Sequence, residues 1–105
     1  MINLYEETME YLAKEGLPEP KFCKCQNKKL SWERYCELAR ATYYHEGYGC
    51  PEIDGSLQLH WHDRVAFRVT YDGAEWFEIL DITEPEEEYD GDTLTDGKSD
   101  YHGGW

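Results

Sequence analysis

The chain has 105 residues, of which 23 are acidic and 10 are basic, so its formal net charge is −13 at pH 7. A charge of this sign repels nucleic acids and anionic membrane surfaces, and it attracts basic macromolecules. We therefore expect no direct binding to DNA, RNA or membranes. The length suits one domain, and nine Tyr, four Trp and three Phe supply enough apolar surface for one core.

The residues after Met1 contain no long apolar run of the kind that a signal peptide or a membrane-spanning helix requires. We therefore expect a cytoplasmic protein. In that compartment the four cysteines are expected to be reduced, and a disulfide framework is the less favoured alternative.

The first predicted element is a helix over residues 2–15. Its apolar residues recur at steps of three and four, as on one face of a helix: Ile2, Tyr5, Met9 and Leu12. Asn3 is a candidate N-cap, and Gly16 followed by two prolines is a stop signal. Residues 18–30, which are rich in lysine, are predicted to form a connector.

A second helix is predicted from Ser31, a favourable N-cap residue, to Glu46, with Gly47 as the terminating residue. Its apolar stripe is formed by Trp32, Tyr35, Cys36, Ala39 and Tyr43. Residues 48–55 contain several Gly and Pro residues and are predicted to be a loop.

Beyond this loop the apolar pattern changes to a period of two, which predicts strands over residues 57–61, 65–69 and 75–82. Asp72-Gly73 predicts a hairpin turn. Connections with an odd number of residues would place these side chains together on the core face: Leu57, Leu59, Trp61, Val65, Phe67, Val69, Phe77 and Ile79. The outer face would then carry Gln58, His60, His62, Arg68, Trp76 and Glu78.

These elements predict an α+β fold in which two helices pack on a three-stranded antiparallel meander. We expect residues 1–82 to form a compact domain and residues 83–105 to form an acidic C-terminal segment. Residues 81–105 contribute −8 of the net charge of −13. Acidic runs of this kind are usually solvated tails, but this one also contains large apolar side chains, which are scarce in such tails.

The alternative to a solvated tail is a partner-binding segment. An ordered array of carboxylates can occupy a basic groove and form charge-assisted hydrogen bonds with its Arg and Lys side chains, as phosphates do. The predicted contact residues are the acids and aromatics of the segment: Glu84, Glu86, Glu87, Glu88, Tyr89, Asp90, Asp92, Asp96, Asp100, Tyr101 and Trp105. This hypothesis makes the chain an inhibitor that competes with nucleic acid.

In its short length, its acidity, its α+β pattern and the run from Glu84 to Asp90, the chain resembles small acidic inhibitors of phages and mobile elements. DNA-mimic anti-CRISPR proteins belong to this group. The resemblance implies a basic nucleic-acid-binding partner, such as a CRISPR effector or a nuclease, and host cytoplasm as the location. It involves no signature motif. An acidic antitoxin that binds a basic toxin has the same features.

A second hypothesis uses the cysteines. Cys23, Cys25, Cys36 and Cys50 could form a tetrahedral zinc site in a protein-interaction module whose acidic tail only confers solubility. Only the first pair approaches the spacing of zinc knuckles, and Cys36 belongs to the apolar stripe of the second helix. A buried free thiol is the ordinary interpretation for such a residue.

The remaining motifs give little support to catalysis or metal binding. His60 and His62 lie two residues apart, as on one face of a strand, but no third ligand is indicated. The sequence contains no phosphate-binding glycine loop, no nucleophile elbow and no metalloprotease motif. We therefore expect no catalytic residues, and the outer face of the sheet is a further candidate for binding a partner.

Overall fold

The computed structural model describes residues 1–45 and 51–95, which form two helices and seven strands. In chain order the elements are β1 (Ile2–Asn3), α1 (Leu4–Glu15), β2 (Phe22–Cys25), β3 (Lys28–Leu30), α2 (Trp32–Arg40), β4 (Tyr43–Tyr44), β5 (Gln58–His60), β6 (Arg64–Tyr71) and β7 (Ala74–Asp81). Strands β2, β3, β5, β6 and β7 form an antiparallel sheet in the order β3-β2-β5-β6-β7, and β1 pairs with β4. Among the described residues, no helix is both long and apolar enough to cross a bilayer.

The predicted α+β class is correct, but the predicted three-stranded meander is wrong. The meander β5-β6-β7 is present, and β2 extends it by pairing with β5. Strands β2 and β3 come from the segment predicted to be a connector. Gln26 and Asn27 link them with φ of 53° and 63°, the left-handed values that a tight hairpin turn requires. The segment was predicted to be a connector because it is rich in lysine. Lysine is nevertheless a common residue on edge strands.

Both helices begin at the predicted caps. The side chain of Asn3 accepts a hydrogen bond from the backbone N–H of Glu6, and Ser31 does the same for Arg34. Gly16 ends α1 in the left-handed conformation, with φ of 66°. The second helix is shorter than predicted and ends at Arg40, because the following residues form β4 and pair with β1. Gly47 lies outside the described residues.

The predicted core face of β7 is correct, but that of β6 is wrong. Two-residue turns, at His62-Asp63 and Asp72-Gly73, replace the predicted odd connections, so Tyr71 pairs with Ala74 across the second turn. A change of one residue in a turn moves a whole strand pattern to the opposite face. As a result β6 turns Ala66 and Arg68 towards the helices, whereas Val65, Phe67 and Val69 are only half-buried.

The core lies between the two helices and the inner face of the five-stranded sheet. Its buried apolar residues are Leu4, Leu12, Cys23, Trp32, Tyr35, Cys36, Ala39, Tyr44, Ile53, Leu57, Leu59, Trp61, Ala66 and Phe77. A large apolar side chain contributes about 1.5–3 kcal/mol when it is fully buried. Thr8 shows how polar groups are accommodated in this core: its hydroxyl donates to the carbonyl of Leu4 at 2.7 Å and lies 2.6 Å from the hydroxyl of Tyr35.

Candidate binding surface

The acidic segment begins where β7 ends, at Asp81, and the structure describes it as far as Thr95. All residues from 81 to 95 are exposed, and those after Asp81 belong to no helix or strand. The predicted contact residues in this part are therefore all accessible to a partner: Glu84, Glu86, Glu87, Glu88, Tyr89, Asp90 and Asp92. The other four, Asp96, Asp100, Tyr101 and Trp105, lie outside the described residues.

Five of these carboxylates recur at every second position: Glu84, Glu86, Glu88, Asp90 and Asp92. In an extended chain, residues two apart point to the same side, and their Cα atoms are about 6.6–7.2 Å apart. The stretch from Glu84 to Asp92 contains bends at residues 86, 87 and 92, so the carboxylates align fully only when it straightens. This period of two is a signal in the amino-acid sequence itself, in addition to the total charge on which the prediction rested.

The folded part places its charges at opposite edges of the sheet. The edge strand β7 and the facing helix α1 carry exposed acids, including Glu6, Glu10 and Glu78, and the acidic segment leaves from the end of β7. The β2-β3 hairpin, which includes Lys24 and Lys29, forms the other edge. Four inter-strand spacings separate β7 from β3, about 19 Å in total. Because this exceeds the Debye length of about 8 Å at physiological salt, the hairpin lysines neutralise the acidic edge only weakly.

A buried ionic network fixes α1 to this acidic edge. The guanidinium of Arg68 donates to the carboxylate of Glu7 on α1 at 2.8 Å and to that of Glu75 on β7 at 3.3 Å. The Arg68 and Glu75 side chains are only 1% and 2% exposed. The backbone N–H groups of Glu52 and Ile53 also donate to Glu75, so its carboxylate is multiply hydrogen-bonded. We infer that the network is structural and holds the acidic edge together.

Tyr44 completes the network from β4. Its hydroxyl donates to Glu7 at 2.5 Å and accepts from Arg68 at 3.3 Å. Burial, followed by the hydrogen bond to Glu7, raises the pKa of Tyr44 to about 12. The hydroxyl therefore remains a donor at every physiological pH, and it keeps one oxygen of Glu7 occupied.

An open groove of about 390 Å³ lies beside this network, between α1 and the start of β7. It is lined by Met1, Ile2, Asn3, Glu6, Glu7, Glu10, Tyr44, Glu75 and Trp76. Four residues with carboxylate side chains, Glu6, Glu7, Glu10 and Glu75, therefore lie around one concave surface. Such a lining suits a cationic side chain, since carboxylates supply charge-assisted hydrogen bonds.

The cysteines lie mostly in the core. Cys23 and Cys36 are buried, and Cys25 is half-buried, whereas Cys50 lies outside the described residues. Burial raises the pKa of the Cys23 thiol to about 12 and also raises that of Cys36. In the part of the chain that the structure describes, no three His, Cys, Asp or Glu residues form a metal-binding cluster.

The two neighbouring histidines do not form a pair on one strand. His60 lies on β5, where its ring stacks on Phe22 at 4.8 Å and its Nε2 lies 2.8 Å from the side-chain oxygen of Gln58. His62 follows the end of β5, in the turn that leads to β6, and is exposed. Burial and the nearby charge of Lys24 lower the pKa of His60, so this ring is neutral at physiological pH.

No family model matches the sequence, and no curated protein or solved structure shows significant similarity to it. The resemblance to small acidic inhibitors therefore consists of length, acidity, α+β class and the acidic run from Glu84 to Asp90. Function has to be inferred from the chemistry of the chain's own residues.

Proposed function

We propose that this protein is a stoichiometric inhibitor that binds the basic nucleic-acid-binding groove of another protein through its acidic C-terminal segment. The segment occupies the groove in place of nucleic acid. The partner is a basic nucleic-acid-binding protein, such as a CRISPR effector or another nuclease. The protein acts by binding and not by catalysis.

The observation that carries this proposal is the charge of residues 81–95, which include seven carboxylates and no basic residue, all exposed. Five of the carboxylates alternate, from Glu84 to Asp92, so an extended segment presents one negative charge about every 6.6–7.2 Å on one side. Neighbouring phosphates of one DNA strand are about 3.4 Å apart along the helix axis and farther apart along the backbone path. A groove that binds a phosphate backbone therefore suits such a segment.

The electrostatics of the fold favour this mode of binding. A net charge of −13 attracts a basic groove from a distance and increases the rate of encounter. The acidic edge formed by α1 and β7 continues the charge of the segment, whereas the Lys-rich hairpin lies at the opposite edge of the sheet. A partner that approaches the acidic edge therefore meets little repulsion from the lysines of the hairpin.

Charge neutralisation tests the proposal. The variant E84Q/E86Q/E88Q/D90N/D92N removes the alternating charges, and the control E15Q/E19Q/E33Q/E37Q/D72N removes the same number from exposed positions elsewhere. Each immobilised full-length protein is incubated with bacterial lysate, and bound proteins are eluted with duplex DNA or with salt. We expect intact protein and the control to retain a nucleic-acid-binding protein that DNA displaces, and the first variant to lose it.

The two variants have the same net charge, so a difference between them reports position and not total charge. Equal retention by both variants would show that the alternating carboxylates are not the binding determinant. Retention that neither 500 mM salt nor DNA reverses would contradict competition for a nucleic-acid groove, because screening weakens contacts between exposed charges.

A further inference from the structure

The sheet has a second face, directed away from the helices, that carries large apolar side chains. They are Phe22, Val65, Phe67, Val69, Trp76 and Leu80. All are half-buried or exposed, whereas their neighbours on the inner face, such as Leu59, Ala66 and Phe77, are at most 4% exposed. We call this surface the outer face. Contiguous apolar surface of this kind marks an interaction site more often than a solvated sheet.

The outer face also carries an ordered row of charges. One residue of each strand belongs to this row, and each is paired with its neighbour in the next strand. From β3 to β7 the residues are Lys29, Lys24, Gln58, Phe67 and Glu78. Lys29 lies on the outer face because its ammonium is 5.3 Å from the ring centroid of Phe22. The row is therefore basic at one end, acidic at the other end and neutral in the middle.

We propose that a second copy of this chain covers the outer face. A two-fold axis parallel to the strands, passing over the central strand β5, places β3 of each copy opposite β7 of the other. Lys29 then faces Glu78 of the second copy, Lys24 faces Phe67, and Gln58 faces its own counterpart. A surface that is complementary to itself under a two-fold rotation is what a symmetric dimer requires, and face-to-face packing of two sheets is a common solution.

The size of the outer face sets the expected affinity. Strand spacing and strand length give roughly 500 Å² per copy, which is below the roughly 800 Å² per partner of standard interfaces. The charge of −13 on each copy opposes association, although salt at 150 mM screens charges that are more than about 8 Å apart. We therefore expect a reversible dimer with a dissociation constant in the micromolar range.

Sedimentation equilibrium of the full chain at 5–500 µM in 150 mM salt tests this proposal. We expect a monomer–dimer equilibrium that F67K shifts to monomer. K29E and E78K should each raise the dissociation constant about fivefold, because the altered pair occurs twice in a two-fold dimer. The double variant K29E/E78K restores opposite charges and should return the dissociation constant to that of the wild type.

The control is L38K, which introduces the same charge at a position on α2 that is 44% exposed and lies on the helical side of the sheet, opposite to the outer face. It should dimerise as the wild type does. Circular dichroism of each variant identifies any that fail to fold, and the charge-reversal pair alone still decides the outcome if F67K is one of them. A wild-type protein that is monomeric at 500 µM, or a double variant that remains as weak as K29E, would overturn the proposal.

Other occupants of the outer face would give different results. If the aromatic residues Tyr101 and Trp105 of the same chain covered it, the wild type would be monomeric and the full-length variant Y101S/W105S would dimerise. If a basic partner covered it, F67K would abolish the DNA-displaceable capture described above while the wild type stayed monomeric. Either result contradicts a second copy as the occupant. The proposed dimer does not depend on the acidic segment. The dimer proposal can therefore be wrong while the proposed function, nucleic-acid mimicry by that segment, is correct.

Discussion

Arg68 on β6 and Phe77 on β7 lie directly opposite each other on the inner face of the sheet, with the guanidinium carbon of Arg68 4.6 Å from the ring centroid of Phe77. A charged side chain thus occupies a position that a β-branched or aliphatic residue would usually fill. The ion pairs with Glu7 and Glu75 compensate this buried charge. The compensation ties three elements together, namely α1, β6 and β7.

Removing the guanidinium should therefore destabilise the fold strongly. R68M keeps most of the side-chain volume but leaves the buried carboxylate of Glu75 without its cation, and we expect a loss of about 3 kcal/mol in the free energy of unfolding. The double variant R68M/E75Q should recover part of this loss. Urea denaturation measures both values.

The surface pair between Arg34 and Glu37 provides the control, since both side chains are more than half exposed. R34M should change the free energy of unfolding by less than about 0.5 kcal/mol. If R68M lowered the free energy of unfolding no more than R34M does, the Arg68 network would not be what holds α1 to the sheet.

The position of Arg68 also shows why the sequence predicted some features of the fold and not others. Helix caps are local signals, and both Asn3 and Ser31 were identified correctly from their neighbours alone. The face that Arg68 occupies depends instead on the number of residues in two turns, and one residue more or fewer reverses it. Strand β2 joins the sheet by pairing with β5 across more than thirty residues, and no local pattern reports such a pairing.

The turn at Asp72-Gly73 can be tested directly. Gly73 has φ of 88°, a conformation that an alanine adopts only with strain, so G73A should lower the free energy of unfolding by about 1 kcal/mol. G55A is the matched control, because a Cβ at Gly55 meets no atom within 4 Å and its φ is not in the left-handed region. Equal stabilities of the two variants in urea would show that the two-residue turn is not under this constraint.

The candidate binding surface was predictable in part. The sign, the number and the exposure of the acids follow from composition, because carboxylates without partners remain in water. Their separation from the Lys-rich hairpin did not follow, since it depends on a strand order in which β3 and β7 are the two edges. The outer face was likewise expected to be mostly polar, and the shift of Val65, Phe67 and Val69 onto it follows from the two turns.

Alkaline pH should destabilise the protein, because burial raises the pKa of Cys23 and of Tyr44 to about 12 each. Both groups are neutral when protonated, and their ordinary pKa values are 9.0 and 10.0. Between those values and about 12 the folded state binds more protons than the unfolded state. The free energy of unfolding should therefore fall as pH rises from about 9, by at most about 1.4 kcal/mol per pH unit for each group.

The variant C23A isolates the contribution of the thiol. Because the substitution also leaves a small cavity, the quantity to compare is the slope of the free energy of unfolding against pH, measured by urea denaturation between pH 9 and pH 10. The slope should be shallower in C23A than in the wild type, and both proteins should be nearly flat between pH 7 and pH 8. Identical slopes above pH 9 would contradict a protonated, buried Cys23.

The alternating carboxylates of the acidic segment should bind a partner without contributing to the stability of the fold. Residues 84–92 are exposed, and their carboxylates form no ion pair within the described chain. The variant E84Q/E86Q/E88Q/D90N/D92N should therefore keep its free energy of unfolding within about 0.5 kcal/mol of the wild type, measured in urea at 150 mM salt, while it loses the DNA-displaceable partner. At low salt the variant should become slightly more stable than the wild type, because fewer negative charges then repel one another. A loss of more than about 1 kcal/mol would show instead that these carboxylates contribute to the fold, and the loss of partner binding would then have a structural cause.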